Sequence, residues 1–352
     1  MSAASIDQGK LQQLLGQAVN DLGALLSGTL VVVGDKLGLY RALKDLGPLT
    51  SAALAEATGT AERYVREWLA SQAASGYISY VGEGRYALSA EQAELLANED
   101  SPFCLLGGFQ VTSAATRALP KLLERFKTGD GLGWHEHDVD LFEGTERFFR
   151  PGYMANLVSS WLPSLDGILP KLERGIDVAD VGCGRGASTI IMAQAFPNSR
   201  FVGSDYHAPS IEMARQAAAA AGITNCRFEV ASAKEYQGMF DLVCHFDCLH
   251  DMGDPVGAAR HVLKSLRPDG AWMIVEPFAN DDVADNLNPV GRVYYSASTF
   301  ICTPASLSQE VGLALGAQAG EARLRAVVTE AGFSRVRRAA ETAFNIILDA
   351  RP

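Results

Sequence analysis

The chain has 352 residues, 48% of them hydrophobic and 20% charged, which is too long for one average core and too apolar for a disordered polymer, so two domains are expected. Its 30 Lys and Arg stand against 41 Asp and Glu, a formal charge of −11, and that balance repels phosphate backbones, arguing against nucleic acid or an anionic membrane as partner. Aliphatic runs such as Leu30–Val33 fall far short of the roughly 18 apolar residues of a membrane span, the first segment lacks the charged and greasy parts of a signal peptide, and six irregularly spaced cysteines suit reduced thiols, so a cytoplasmic protein without a membrane partner is expected.

From the N-terminus, Leu11, Leu14, Leu15, Ala18, Val19, Leu22, Leu25 and Leu26 recur at steps of three and four. This predicts an amphipathic helix whose stripe needs a partner surface. Thr50 then opens a short helical segment broken at Gly59, and Ala61–Ser75 predicts a second helix ending at Gly76. Tyr77–Val81 and Arg85–Leu88 read as strands joined by Gly82-Glu83-Gly84. Together these elements resemble a winged helix. Residues 1–100 hold 7 Lys and Arg against 12 Asp and Glu, and the would-be recognition helix carries Glu62 and Glu67 beside Arg63 and Arg66. Major-groove readers bring a basic face, so a structural or dimerising role is expected over DNA binding.

Residues 101–175 mix helical stretches with an aromatic and charged segment, Trp134–Tyr153. Beyond them strand and helix alternate: Asp177–Val181, Ser188–Ala195, Arg200–Gly203, Ser210–Ala221, Arg227–Val230, Asp241–His245, Pro255–Leu266 and Trp272–Val275. Such alternation implies a parallel sheet covered on both faces. Arg335–Ala339 and Phe344–Asp349 predict a closing hairpin that adds an antiparallel strand. The expected organisation is therefore 1–100, 101–175 and 176–352. Within it, the stretch between Pro277 and Gly320, with Tyr294 and Tyr295, is too long for an ordinary loop and reads as a lid.

The strongest local signal is Asp180-Val181-Gly182-Cys183-Gly184-Arg185-Gly186, set between a strand and a helix. Glycines let the backbone turn tightly and approach a ligand, and the helix N-terminus behind them offers free N–H groups. Asp205 ends the next strand, where a carboxylate can accept both hydroxyls of a ribose. A dinucleotide-binding domain could use the same parts, but here an acid precedes the first glycine and the chain ends in a hairpin. With Leu266-Arg267-Pro268-Asp269-Gly270 and Ala331-Gly332-Phe333, the chain from Asp177 onward resembles the class I S-adenosylmethionine-dependent methyltransferases. The resemblance implies an α/β fold with a Rossmann-like seven-stranded sheet whose last strand is antiparallel, and S-adenosylmethionine as cofactor. It places Asp180, Gly182, Cys183, Gly184 and Gly186 under the methionine part, Asp205 on the ribose and Tyr206 against the adenine. Ser232 and Ala233, where many members carry an acid, together with His245, Phe246 and Tyr153, complete the implied cofactor shell. His207 either bonds the cofactor or caps the next helix.

Cys244, His245, Cys248 and His250 crowd the end of the fourth strand, but strand alternation sends Cys244 and His245 to opposite faces and the spacing matches no common zinc site, so no metal is expected. Leu249-His250-Asp251 is instead similar to the Leu-His-Asp-Trp segment of small-molecule O-methyltransferases, with Met252 in place of the Trp. Those enzymes also carry an N-terminal winged-helix dimerisation domain, a segment like Phe142-Glu143-Gly144-Thr145-Glu146-Arg147-Phe148 and an acid like Glu276. This resemblance implies a homodimer that methylates a small acceptor, most readily at oxygen, with His250 as general base, Glu276 orienting it and Asp251 beside it. Two alternatives stand: His250 and Asp251 cap the helix after the fourth strand, or the chain is a cofactor-sensing DNA-binding regulator without catalysis.

Overall fold

Apolar periodicity and its interruptions become fifteen α-helices and ten strands in the computed structural model, which describes residues 6–352. The chain divides into two compact units, residues 1–113 and 114–352; of the segment 101–175, residues 101–113 therefore go with the first unit and the remainder with the second. The first unit holds α1 (Gln8–Lys36), α2 (Leu39–Leu46), β1 (Leu49–Thr50), α3 (Ser51–Thr58), α4 (Glu62–Ala74), β2 (Ser79–Gly82), β3 (Arg85–Ala87) and α5 (Ala90–Leu96), followed by α6 (Leu106–Thr116). The strands form a small antiparallel sheet in the order β1-β3-β2, the wing of a winged helix. Gly59, in the left-handed region at φ 64°, ends α3 and turns the chain into α4.

Helix α1 runs well past the stripe that the sequence marks. Asp7 caps it by accepting from the N–H groups of Gly9 and Lys10. Its last turns bury Val31, Val32 and Gly34, and a Cβ at Gly34 would lie 2.3 Å from the Trp68 ring, so glycine lets α1 and α4 meet closely. Trp68 Nε1 fixes that crossing by donating to the Leu30 carbonyl at 2.8 Å. Tertiary packing thus prolongs the helix where periodicity ends. The stripe itself, Leu11, Leu14, Leu15, Val19, Leu22, Leu25 and Leu26, is exposed. With an 18-residue window of mean hydropathy 1.2, α1 is long and apolar enough to cross a membrane by length and composition alone. The sequence expectation of no such segment rested on unbroken aliphatic runs; here Gly, Ala and amide residues interrupt the leucines without adding much charge.

The second unit opens with α7 (Leu119–Thr128), α8 (Val139–Asn156) and α9 (Ile168–Arg174), then alternates β4 (Asp177–Val181), α10 (Ala187–Ala195), β5 (Arg200–Asp205), α11 (Ala208–Ala220), β6 (Cys226–Val230), β7 (Phe240–Phe246), α12 (Pro255–Ser265) and β8 (Leu266–Pro277). After α13 (Pro289–Ala297), α14 (Thr303–Leu307) and α15 (Gly320–Glu330) come β9 (Arg335–Glu341) and β10 (Asn345–Arg351). The seven strands lie in the order β6-β5-β4-β7-β8-β10-β9, parallel except for β10, which is antiparallel to both neighbours. Because β7 and β8 are covered on both faces, apolar residues in them point both ways: Val243 and Trp272 pack into one core, Leu242 and Met273 into the other. The strand order reverses beside β4, and in open α/β sheets the crevice at such a switch, at the carboxyl ends of the strands, is where ligands bind. The stretch between β8 and α15 is largely helical, with a π-helical turn at Ser298–Cys302, and Tyr294 docks it by donating to the Phe344 carbonyl at 3.0 Å.

Candidate active site

A cavity of ≈ 570 Å³ opens at the carboxyl ends of β4, β5 and β7, a size suited to a cofactor-scale ligand. The turn after β4 forms its floor. Gly182, Gly184 and Gly186 all have positive φ, at 75°, 53° and 83°. A Cβ at Gly182 would lie 2.7 Å from Cys248 Sγ and one at Gly186 2.7 Å from the Phe228 ring, so those two glycines close the turn against its surroundings. At Gly184 nothing lies within 4 Å, which leaves bare backbone facing the cavity.

Asp205 ends β5 on the cavity wall. Its Oδ2 accepts from Gly184 N at 3.0 Å and its Oδ1 from His207 N at 2.8 Å. Burial raises its pKa, and those two N–H groups oppose the rise. Cys183, Tyr206, Ser232, Ala233, Phe246 and Tyr153 also line the cavity. His207 stands at the N-cap position of α11 without a side-chain bond to the helix backbone; its Nδ1 lies 2.8 Å from Ser210 Oγ, and its ring lies on the wall, stacked on Phe142 at 4.2 Å.

Asp180 sits beneath the floor rather than on it. It is 1% exposed, its Oδ2 accepts from Ser188 and Thr189 at 2.6 Å each, and burial raises its pKa to about 6. Its Oδ1 has no protein partner, so this buried acceptor is matched to a donor that a ligand or water brings. His245 is not brought to the cavity. The alternation of β7 turns it into the core, where Nδ1 accepts from Trp272 Nε1 at 2.9 Å and burial lowers its pKa to about 3, leaving it neutral.

The β7 end turns sharply at Asp247, whose φ of 50° a short polar side chain tolerates. Tyr153 donates to Asp247 Oδ2 at 2.9 Å and Asn345 to Oδ1 at 2.8 Å, and burial pushes this carboxyl up to about 8. After it, Leu249–Asp251 form one 3-10 turn. His250 and Asp251 do not cap the following helix; Asp254 does, accepting from Gly257 N at 2.8 Å. His250 is 3% exposed, behind the cavity wall rather than on it, with Nδ1 2.5 Å from Glu276 Oε2 and Nε2 3.2 Å from Asp251 Oδ1. Burial works against the imidazolium, but the Glu276 and Asp251 carboxylates outweigh it and hold the ring's pKa well above its ordinary value. Asp251 is the member of this group that reaches the cavity; burial raises its pKa as well. His250, Asp251 and Cys302 bring donor atoms within 4.8 Å of one another, a spacing an ion could bridge, yet here thiol, imidazole and carboxylate engage each other.

Several wall residues escape a reading of the sequence. Trp134, from the 3-10 turn before α8, donates Nε1 to Asp251 Oδ2 at 3.1 Å. Ser308, Gln309 and Glu310, beyond α14, form the opposite rim, where Lys234 joins Asp254 and Glu310 at 3.1 Å each. The lid expected between Pro277 and Gly320 therefore touches the cavity only through this tip among the described residues. An aromatic-rich segment signalled Trp134 in general terms; nothing local marked Ser308 to Glu310.

The chain is similar to known methyltransferases. A family model described as a methyltransferase domain matches residues 172–314, and one described as an Rv2258c-like winged HTH domain matches residues 25–98. The mitomycin biosynthesis 6-O-methyltransferase of Streptomyces lavendulae is 27% identical over 281 residues, 74% of this chain and 77% of that protein. The demethylsterigmatocystin 6-O-methyltransferase of Aspergillus parasiticus is 33% identical over 163 residues, 44% of this chain and 39% of that one. Among solved structures, a mitomycin 7-O-methyltransferase superposes with a TM-score of 0.71 at 22% identity, covering 98% of this chain and 100% of the other. Human N-acetylserotonin methyltransferase in complex with SAM gives 0.69 at 17%, covering 99% of each. At these identities the structural matches speak for the fold.

Proposed function

We infer that this protein, a methyltransferase domain behind a winged-helix domain, uses S-adenosylmethionine to methylate a hydroxyl of a small molecule. The observation that carries the reading is the cradle of bare Gly184 backbone beside Asp205, with the unpartnered Asp180 oxygen beneath it. The parts suit a nucleoside joined to an amino acid: Asp205 for ribose hydroxyls, Tyr206 for the adenine face, and the glycine turn for the methionine part. When bound, the cofactor supplies an electrophilic methyl on a sulfonium. The chain's own task is then alignment, exclusion of water and removal of the hydroxyl proton.

For the proton, the sequence reading named His250 as base. A ring held protonated between two carboxylates is a poor acceptor at neutral pH, so we assign the contact with the hydroxyl to Asp251, the member on the cavity wall. His250 lies 3.2 Å behind it and neutralises its charge, and Glu276 holds the far side of the ring. Trp134, Phe142 and Phe149 give the cavity flat apolar walls that suit an aromatic acceptor. The relatives named as mitomycin biosynthesis and demethylsterigmatocystin 6-O-methyltransferases support transfer to an oxygen of a small molecule.

The exposed stripe of α1 supports a homodimer, since the stripe occupies one face while Gln12, Gln13, Gln17 and Asn20 interrupt it, and a spanning helix would be apolar all round. In α4, Arg63 and Arg66 pair with Glu67 at 2.6 Å and Glu62 at 2.9 Å, leaving little free positive charge for a phosphate backbone. Calorimetry with S-adenosylhomocysteine tests the cofactor assignment. Wild type should bind, and Asp205→Ala should weaken binding at least tenfold; equal affinity in both would remove the site from this cavity.

A further inference from the structure

An imidazole, a carboxylate and a thiol meet behind the cavity wall. His250 and Asp251 come from the turn after β7, and Cys302 ends the π-helical turn Ser298–Cys302, an irregularity often found at functional sites. All three side chains are buried, and their donor atoms lie within 4.8 Å of one another. Because the sulfur comes from far along the chain, local spacing shows no zinc pattern. The two segments are locked together beside the cluster: Ser306 Oγ donates to the Met252 carbonyl and Gln309 Nε2 to the Asp251 carbonyl, each at 2.8 Å. The donors therefore stand in place before anything binds.

Two of them are also oriented from behind. His250 Nδ1 lies 2.5 Å from Glu276 Oε2, which leaves Nε2 facing Asp251 Oδ1 at 3.2 Å. Glu276 is itself fixed, its Oε1 accepting from Leu249 N at 2.9 Å, and Asp251 Oδ2 accepts from Trp134 Nε1 at 3.1 Å. A carboxylate on the far nitrogen of a histidine is the arrangement that aims an imidazole at a metal ion.

Nitrogen, oxygen and sulfur together suit zinc, whereas magnesium and calcium take oxygen ligands. Tetrahedral bonds of about 2.0 to 2.3 Å set neighbouring ligand atoms about 3.3 to 3.8 Å apart, so the 3.2 Å between Nε2 and Oδ1 needs little adjustment. Asp251 lines the cavity, which gives an ion its way in and leaves a fourth position for water. We propose that His250, Asp251 and Cys302 form an inhibitory site for zinc, which switches methyl transfer off by occupying the groups that serve the acceptor hydroxyl. As the ion binds, the His250 Nε2 proton and the Cys302 thiol proton leave to solvent, and the carboxylate and thiolate balance its two positive charges. The metal-free protein is the active form. The inhibition rests on the O-methyl transfer reading above; the binding does not.

The test uses the full chain and the metal alone. Competition with a chromophoric chelator should show one zinc ion per chain, removed by EDTA, and no uptake of magnesium. Cys302→Ser should weaken zinc binding at least roughly tenfold, and Glu276→Gln, which leaves every ligand in place, by roughly 10- to 100-fold. Both variants should bind S-adenosylhomocysteine within about threefold of wild type, which shows that they fold. Cobalt(II) gives a readout without turnover: the wild-type complex should show a thiolate-to-cobalt charge-transfer band and the intense visible bands of a tetrahedral site. Cys302→Ser should lose the charge-transfer band, and Cys248→Ser, at the other thiol near this turn, should keep it. With a hydroxylated acceptor, zinc should stop wild-type transfer reversibly, and half-inhibition of Cys302→Ser should need at least roughly tenfold more zinc. Absence of stoichiometric zinc, a charge-transfer band that survives Cys302→Ser, or bound zinc with undiminished methyl transfer would overturn the proposal. Zinc held by these residues in a protein that transfers no methyl to oxygen even when metal-free would support the site and overturn only the reading beneath it.

Discussion

Burial sets the protonation of the residues around β7, and each consequence can be measured. Asp247 has its pKa raised to about 8, so its stabilising, protonated form is favoured in the folded state. For a raised carboxyl, that stability is fully present below the unfolded value of 3.8 and is lost as pH rises through about 8. Asp247→Asn keeps the side chain's shape and one acceptor oxygen, facing Asn345, and removes the titration. Chemical denaturation should show its stability falling less steeply between pH 5 and 8 than wild type by up to roughly 1.4 kcal/mol per pH unit; identical slopes would contradict the assignment. If Asp251 receives the hydroxyl proton beside a protonated His250, as proposed, turnover should rise through a pKa above the ordinary Asp value and fall again at alkaline pH as the imidazolium is lost. A base acting as neutral imidazole would give the rise without the fall. Asp251→Ala should lower kcat by roughly two to four orders of magnitude, and His250→Ala and Glu276→Gln, which remove the groups behind it, should lower it less.

At the level of elements, the roof of the cavity is where two segments distant in sequence meet, the turn before α8 and the tip after α14. Gly131→Ala would drive a Cβ into the Ser308 backbone at 2.0 Å, so it should cost roughly 1–3 kcal/mol of stability and speed release of S-adenosylhomocysteine. Unchanged thermal midpoint and release rate would contradict a close contact between the two segments. The strand and helix alternation from Asp177 onward, the closing hairpin and the glycine turn were all legible, because each is encoded by local period or by turn chemistry. His245 was misplaced toward the cofactor since the turn at Asp247 leaves it one residue inside the strand, facing Trp272. The aromatic segment and the long stretch before Gly320 marked Trp134 and the lid tip only in general terms, because what makes them wall residues is a contact across more than a hundred positions, and no local pattern carries that. The helix α1 was read short because Val31 and Val32 are fixed by packing on α4 rather than by periodicity.

For the whole molecule, two claims remain to be joined, assembly and chemistry. The exposed leucines of α1 predict a dimer at micromolar concentration in sedimentation, and Leu15→Glu with Leu22→Glu should shift it to monomer. A clean wild-type monomer would contradict the dimer while leaving the cavity untouched. The acidic balance of the chain and the paired arginines of α4 speak against the regulator alternative, in which catalysis would be absent. That contrast makes one measurement decisive: incubation with isotopically labelled S-adenosylmethionine and a panel of phenolic and alcoholic acceptors, followed by mass spectrometry of the acceptors. The account predicts one labelled methyl group on an acceptor oxygen, lost in Asp205→Ala. Labelled methyl on nitrogen or carbon, or bound cofactor with no transfer to any hydroxyl, would contradict it.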